Sequence, residues 1–195
     1  MAGKPAAALG RRVWLEAGQI LLRGSGVSGL KLRALAGSLG ISTGSFYHHF
    51  SDFDAYLVAL AKYYSGEQLA ASIATVLREA HTPYDRILRA SRLAEDTALP
   101  ELIAAMRAWA RRDERVAPEV AILERGLMDF LAECFVGLGF NQDEAIARAF
   151  VMLSVAGGEV PPPDLGDKHR FGGVIIDLVC AGAPGRLGEI SERLR

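Results

Sequence analysis

Apolar positions recur along this chain at helical spacing, and nowhere do they alternate as in a strand. Val13, Ala17, Ile20 and Leu21 share one face of a first predicted helix, which Gly24-Ser25-Gly26 ends. Leu32, Leu35, Ala36 and Leu39 form the next stripe, over about 30–39, and Gly40 stops it. Ser42 then stands as the cap of a short helix, 42–48. A longer helix follows from Asp52 towards Ala80, with Gly66 as its weak point. Further helices are expected after Pro83 (Tyr84, Ile87, Leu88, Ser91) and after Pro100 (Leu102, Ile103, Met106, Trp109, Ala110). After Pro118 the stripe is Val120, Leu123, Leu127, Phe130, Leu131, Cys134 and Phe135. Asn141 caps a helix carrying Ile146, Ala149, Phe150 and Leu153. Gly157-Gly158 and Pro161-Pro162-Pro163 break the chain before a last helix, about 167–181, with Phe171, Ile175, Leu178 and Val179. The expected fold class is all-α, with about nine helices and no internal repeat.

The last two long helices are apolar on more than one side. Val151, Met152 and Val155 widen the first stripe, and Val174 and Ile176 widen the second. A helix apolar nearly all round is buried nearly all round. Burial against a second subunit is the favoured reading, and a central place in a monomer core is the alternative.

Against these stripes the segment 42–48 stands out. It holds Thr43, Gly44, Ser45, Tyr47 and His48 around a single fully apolar residue, Phe46. Short helices do not stabilise themselves in water. A striped helix, a glycine turn and a short polar helix together make a helix-turn-helix. Phe46 and Phe50 would anchor the short helix, leaving its polar surface for a nucleic-acid groove. Thr43 and Ser45 suit base edges, Gly44 allows close backbone approach, and Tyr47 and His48 reach phosphate oxygens. Lys31 and Arg33 can hold the other wall of the groove. Ser42 reads equally well as a cap or as a DNA contact. Tyr47 has a half-buried core reading beside the phosphate one, and His49 reads as a brace.

Charge supports this placement. Residues 1–50 carry six basic side chains against Glu16, a net +5, so with −1 overall the remainder carries −6. A basic end on a mildly acidic body suits a polyanion at that end. Cys134 and Cys180 form no zinc or disulfide pattern and read as small core residues. No apolar run is long enough to span a bilayer and no signal-peptide core is visible, which suggests a soluble, cytoplasmic protein without membrane contact. There is no phosphate-cradling glycine loop, no H-E-x-x-H and no G-x-S-x-G. His48 and His49 diverge on a helix, and His81, His169, Glu159 and Asp164 lack companions. An enzyme is not expected, nor is a cofactor or a metal.

The residues Gly26, "LRALAGSLGIS" at 32–42 and "TGSFYHHF" at 43–50 resemble the helix-turn-helix of the TetR family of transcriptional regulators. The resemblance covers about residues 10–60. It implies a three-helix DNA-binding domain over 1–51, with a short N-terminal arm, and a helical effector-binding and dimerisation domain over 52–195. It implies a homodimer on a palindromic operator in double-stranded DNA, held together by the last two helices. The implied contacts are Thr43, Gly44, Ser45, Tyr47 and His48, with Arg33 on the supporting helix. Two departures stand out. Leu30 and Lys31 replace the usual capping Thr or Ser, so Ser28 is left to cap and Lys31 to meet phosphate. Phe53 replaces a lysine, so that phosphate contact is lost.

The expected function is sequence-specific transcriptional regulation, as a repressor released by a small, mainly apolar ligand. The alternatives are a ligand-independent regulator and a helical protein-interaction module. Tyr84, Leu88, Arg92, Met106, Trp109 and Phe130 are candidate walls of an effector pocket, with Arg92 as a polar handle. Each also reads singly as core, or, for Arg92, as surface.

Overall fold

The computed structural model describes residues 10–157 and 168–184. The expected N-terminal arm, the break at Pro161-Pro162-Pro163 and the start of the last helix at Asp167 lie outside them. Among the described residues the chain is all-helical, with nine α-helices and one short 3₁₀ turn. In order they are α1 (Arg11–Gly29), α2 (Leu32–Leu39), the 3₁₀ turn Thr43–His48, α3 (Phe53–Tyr63), a π turn Tyr64–Gln68, α4 (Leu69–Glu79), α5 (Pro83–Asp96), α6 (Leu99–Ala110), α7 (Ala117–Gly137), α8 (Gln142–Ala156) and α9 (Lys168–Val179).

Two compact units divide the chain. The first takes 1–68 and 101–122, and the second takes 69–100 and 123–195. The first unit therefore extends beyond the 1–51 segment and recruits a stretch far along the chain.

In the first unit α1 packs on α2 and α3. Its core face is Trp14, Leu15, Gly18 and Leu22, which is rotated from the stripe expected through Ile20. Ile20 is 61% exposed. Ala17 of the expected stripe is buried too and Val13 is half-buried, but Trp14 and Leu15 are larger, so turning them fully inward removes more apolar surface from water. The helix breaks at Gly26, whose φ of 63° and ψ of −173° leave the helical region. α3 starts at Asp52, whose carboxylate accepts from the Ala55 N–H at 2.7 Å. That bond holds the Asp52 carboxyl below the usual carboxylate range.

Gly18 sets how closely α1 and α3 approach. A methyl added there would overlap Tyr56 Oη and press on Leu60 Cδ2. Tyr56 is fully buried, its hydroxyl donates to the Trp14 carbonyl at 3.0 Å, and burial pushes its pKa up. The π turn is tied down in the same unit. Gln19 Nε2 donates to Gln68 Oε1 at 2.5 Å, and Ser65 Oγ donates to Glu119 Oε2. Gly66, the expected weak point, lies in this turn.

The second unit has one continuous apolar core. Val76 of α4, Ile87 of α5, Phe130 and Phe135 of α7, Ala145 and Ala149 of α8, and Ile176 and Val179 of α9 all contribute. Asn141 caps α8 through a reciprocal pair with Glu144, as its position predicts. Cys134 and Cys180 are buried free thiols, and burial pushes the Cys134 thiol up to about 11. The apolar stripes predicted for α8 and α9 are only partly core. Ile146, Phe150 and Leu178 face outward, while Ala145, Ala149 and Ile176 face in.

Gly18→Ala should destabilise the protein by about 1–3 kcal/mol through overpacking. In a Tyr56→Phe background that penalty should shrink by at least about 0.5 kcal/mol, because the overlapping oxygen is gone. Urea unfolding of the four-protein cycle measures the coupling. Strict additivity would show that the two positions do not oppose each other.

Candidate nucleic-acid interface

The site is built on a helix end. Gly40 adopts the left-handed conformation (φ 67°, ψ 29°) at the end of α2. Its N–H bonds to Gly37 O at 3.2 Å, and the Ile41 N–H bonds to Ala36 O at 3.0 Å. This is a Schellman closure, which satisfies carbonyls that the helix end would otherwise leave open. Leu35 and Ala36 bury the inner face of α2. The chain then turns into the 3₁₀ segment.

That segment differs from expectation in form. It is a six-residue 3₁₀ turn, where an α-helix was expected, and it is closed by Ser45 N–H to Ser42 O at 3.2 Å and His49 N–H to Phe46 O at 2.9 Å. Ser42 holds the capping position, yet its side chain makes no capping bond. The narrower 3₁₀ winding closes the turn through backbone alone. Ser28 does not cap α2 either, because its hydroxyl donates back to Ser25 O at 3.3 Å, within the end of α1. Lys31 occupies the capping position of α2 with no side-chain cap bond. The first-turn N–H groups of α2 thus stand beside an exposed ammonium, an arrangement that favours an anion.

One ring fixes the turn. Phe46 is 0% exposed and sits in an aromatic cluster. Its ring centroid lies 5.3 Å from Trp14 edge-on, 5.0 Å from Phe50 and 5.5 Å from Tyr56. Phe53, where the resemblance led one to expect lysine, stacks on Tyr56 at 5.5 Å. The residue that forfeits a charge thereby extends the cluster that holds the turn. Arg11, which the sequence reading did not single out, places its guanidinium 5.2 Å from the Phe50 ring centre. Trp14 and Tyr56, not expected as anchors, brace Phe46 alongside Phe50. The signal for Trp14 was its spacing with Gly18 and Leu22, which the Val13 stripe obscured.

With Phe46 turned in, Thr43, Gly44, Tyr47 and His48 are exposed side by side, and Lys31 and Arg33 are exposed on α2. The half-buried reading of Tyr47 therefore fails in the free protein. Ser45 does not join this surface. It is 7% exposed, because the turn that points Phe46 inward carries its neighbour partly in as well. His49 is half-buried, with its ring 6.5 Å from Phe50. The exposed set offers a hydroxyl, a methyl, a phenol, an imidazole and two cations, which suits phosphate and base edges.

The six candidate pocket residues do not fall in one unit. Met106 and Trp109 are buried in the first. Tyr84, Leu88, Arg92 and Phe130 belong to the second. There Phe130 is core, Leu88 packs on that core, and the Tyr84 hydroxyl donates to Asp177 at 2.9 Å. Arg92 is exposed at the edge of an open hollow of about 240 Å³, which Leu88 also lines, with Glu79, His81, Asp85 and Arg89. Its walls mix charged side chains with apolar Leu88 and Ala80.

Fold and site together describe a helix-turn-helix protein. The chain is similar to a transcriptional regulator from Rhodococcus sp. Rha1, at 21% identity over 90% of this chain and 98% of that one, with a TM-score of 0.68. It is similar to a TetR transcriptional regulator from Legionella pneumophila, at 14% identity over 88% and 96%, with a TM-score of 0.72. A TetR-family regulator from Agrobacterium tumefaciens matches at 20% identity over 87% and 95%, with a TM-score of 0.68. No family model and no curated protein matches the sequence. The chain has the fold of TetR-family transcriptional regulators.

Gly44 separates the needs of the fold from those of a ligand. Its backbone is not left-handed, and an added methyl would meet only Ser42 Oγ, at an ordinary 3.7 Å. Gly44→Ala should leave thermal stability unchanged or raise it by up to about 1 kcal/mol. If DNA backbone closes on this position, the same variant should bind duplex at least about tenfold more weakly. Unfolding and mobility-shift measurements on one preparation read both effects. Unchanged duplex binding would remove Gly44 from the interface.

Proposed function

We propose that the protein is a TetR-family, sequence-specific DNA-binding transcriptional regulator that works as a homodimer. The observation that carries this reading is the turn Thr43–His48, anchored by one buried ring with its polar residues exposed beside two cations. Residues 1–51 form the DNA-binding segment, and 52–195 serve dimerisation and effector response. Thr43, Gly44, Tyr47 and His48 enter the major groove, and Lys31 and Arg33 hold phosphates. Ser42 and Ser45 contribute to the turn, and Ser45 reaches DNA only if the turn opens on binding. A dimer sets two such turns about 34–36 Å apart on a palindromic site. Repression relieved by a small ligand is the mode of action proposed. The ligand must bind the non-fitting state more tightly than the DNA-bound one.

The dimer proposal rests on how α8 and α9 divide their apolar residues. α8 turns small Ala145 and Ala149 towards its own core and leaves Ile146 and Phe150 outside; α9 leaves Val174 and Leu178 outside. The two helices pack on each other, and Phe150 and Leu178 are 61% and 70% exposed. Large apolar groups in water beside small ones in the core favour a self-complementary partner face. Phe150→Glu with Leu178→Glu should turn a dimer into a folded monomer in analytical ultracentrifugation. A wild-type protein that sediments as a monomer at about 10 μM would remove the dimer.

DNA binding is tested by mobility shift with the gene's own upstream region across a salt series. A dimer meeting about six phosphates gives a log–log slope near −5. Arg33→Gln should reduce that slope by about 2, one phosphate in each subunit. A protein-interaction module would shift no duplex even at low salt.

A further inference from the structure

A hollow of about 190 Å³ opens within the first unit, beside the break in α1 and the C-terminal turn of α6. Val27, Ala105 and Trp109 give it an apolar side, and Arg111 and Arg112 give it a charged one. Trp109 is only 2% exposed, so its ring is a fixed wall. Gly26 keeps the space open. Its backbone leaves the helix there, and nothing lies within 4 Å of where its side chain would stand.

Among the described residues, no carboxylate pairs with the two guanidinium groups of this hollow. Arg115 is held by Asp113 at 2.8 Å and by Asp54 at 3.4 Å, and Arg12 is held by Glu16 at 2.7 Å. Arg107 also has a partner. Arg111 and Arg112 are exposed and make no side-chain hydrogen bond or ion pair among the described residues. Asp113, the next residue, is already committed to Arg115, which holds its carboxyl below the usual carboxylate range. Two guanidinium groups adjacent in sequence, without an ion-pair partner among the described residues and beside an indole wall, match a ligand with a carboxylate at one end and an apolar body at the other. Guanidinium takes carboxylate by paired, charge-assisted bonds. The volume is below the roughly 300–1,000 Å³ of drug-sized sites, which limits the body to about one ring.

We propose that this hollow is a binding site for a small organic carboxylate, its charged end on Arg111 and Arg112 and its apolar end against Trp109. The proposal stands on the chemistry of the hollow and does not depend on DNA binding. Its place gives it a consequence all the same. The wall formed by Gly26 and Ser28 lies just before Lys31 and α2, so an occupant touches the segment that leads into the helix-turn-helix.

The test is calorimetric titration of the full chain with benzoate, inorganic phosphate and neutral benzyl alcohol at constant ionic strength. Benzoate should bind, with phosphate and benzyl alcohol each at least about tenfold weaker. Arg111→Gln with Arg112→Gln should weaken benzoate at least about tenfold and leave the melting temperature of the unliganded protein unchanged, since both side chains are exposed. Ala108→Leu, which fills the hollow and keeps both charges, should abolish binding. No heat from benzoate up to about 10 mM would overturn the proposal. So would equal binding by the double-Gln variant, or phosphate binding as well as benzoate.

Discussion

The burial of one ring, Phe46, is what the polar surface of this protein depends on. Six residues in a 3₁₀ turn close too few good hydrogen bonds to hold themselves. Burying a phenylalanine side chain contributes about 1.5–3 kcal/mol, and each well-placed aromatic neighbour adds about 0.5–1.5 kcal/mol. Trp14, Phe50 and Tyr56 all lie in that range of contact with Phe46. Phe46 is thus the turn's main anchor, with Ser45 buried beside it and the Tyr47 ring edge-on to it at 5.5 Å. Thr43, Gly44, Tyr47 and His48, all exposed, are then left free to meet what lies outside the chain.

The cluster around Phe46 is held in turn by contacts between distant parts of the chain. Tyr56 reaches across to the Trp14 carbonyl, and Gly18 leaves the room it needs. Below it, Gln68 is tied to Gln19 and Ser65 to Glu119. α1, α3, the π turn and the start of α7 are therefore fastened to one another by side-chain bonds as well as by packing. A side chain added at Gly18 would press on Tyr56, whose ring lies 5.5 Å from that of Phe46 in the 3₁₀ turn.

Much of this was legible in the sequence where a local signal was strong. Gly40 after the Leu35 stripe, Phe46 and Phe50 as anchors, Pro83 opening α5 and Asn141 capping α8 each follow from one residue's own chemistry. What escaped depended on partners far away. The face of α1 was misjudged through Ile20 because Val13, Trp14 and Leu15 are consecutive, and only the approach of α3 decides between two stripes. Ser42 and Ser28 have the chemistry of caps, but backbone closure and the Ser25 carbonyl win in their places. Phe53 looked like a lost phosphate contact, and its gain in stacking is visible only beside Tyr56. The grouping of 101–122 with 1–68 has no signature in either segment alone, which is why one list of pocket walls drew on both units.

The central claim is that the outward side of Thr43–His48 meets the groove of a duplex while Phe46 stays in its cluster. Amide chemical shifts of the labelled protein, followed as duplex from its own upstream region is added, test this most directly. The account predicts that signals of residues 31–48 move first and furthest, with the Trp14 and Tyr56 amides little changed. Duplex binding that moves other surfaces and leaves 43–48 untouched would contradict it.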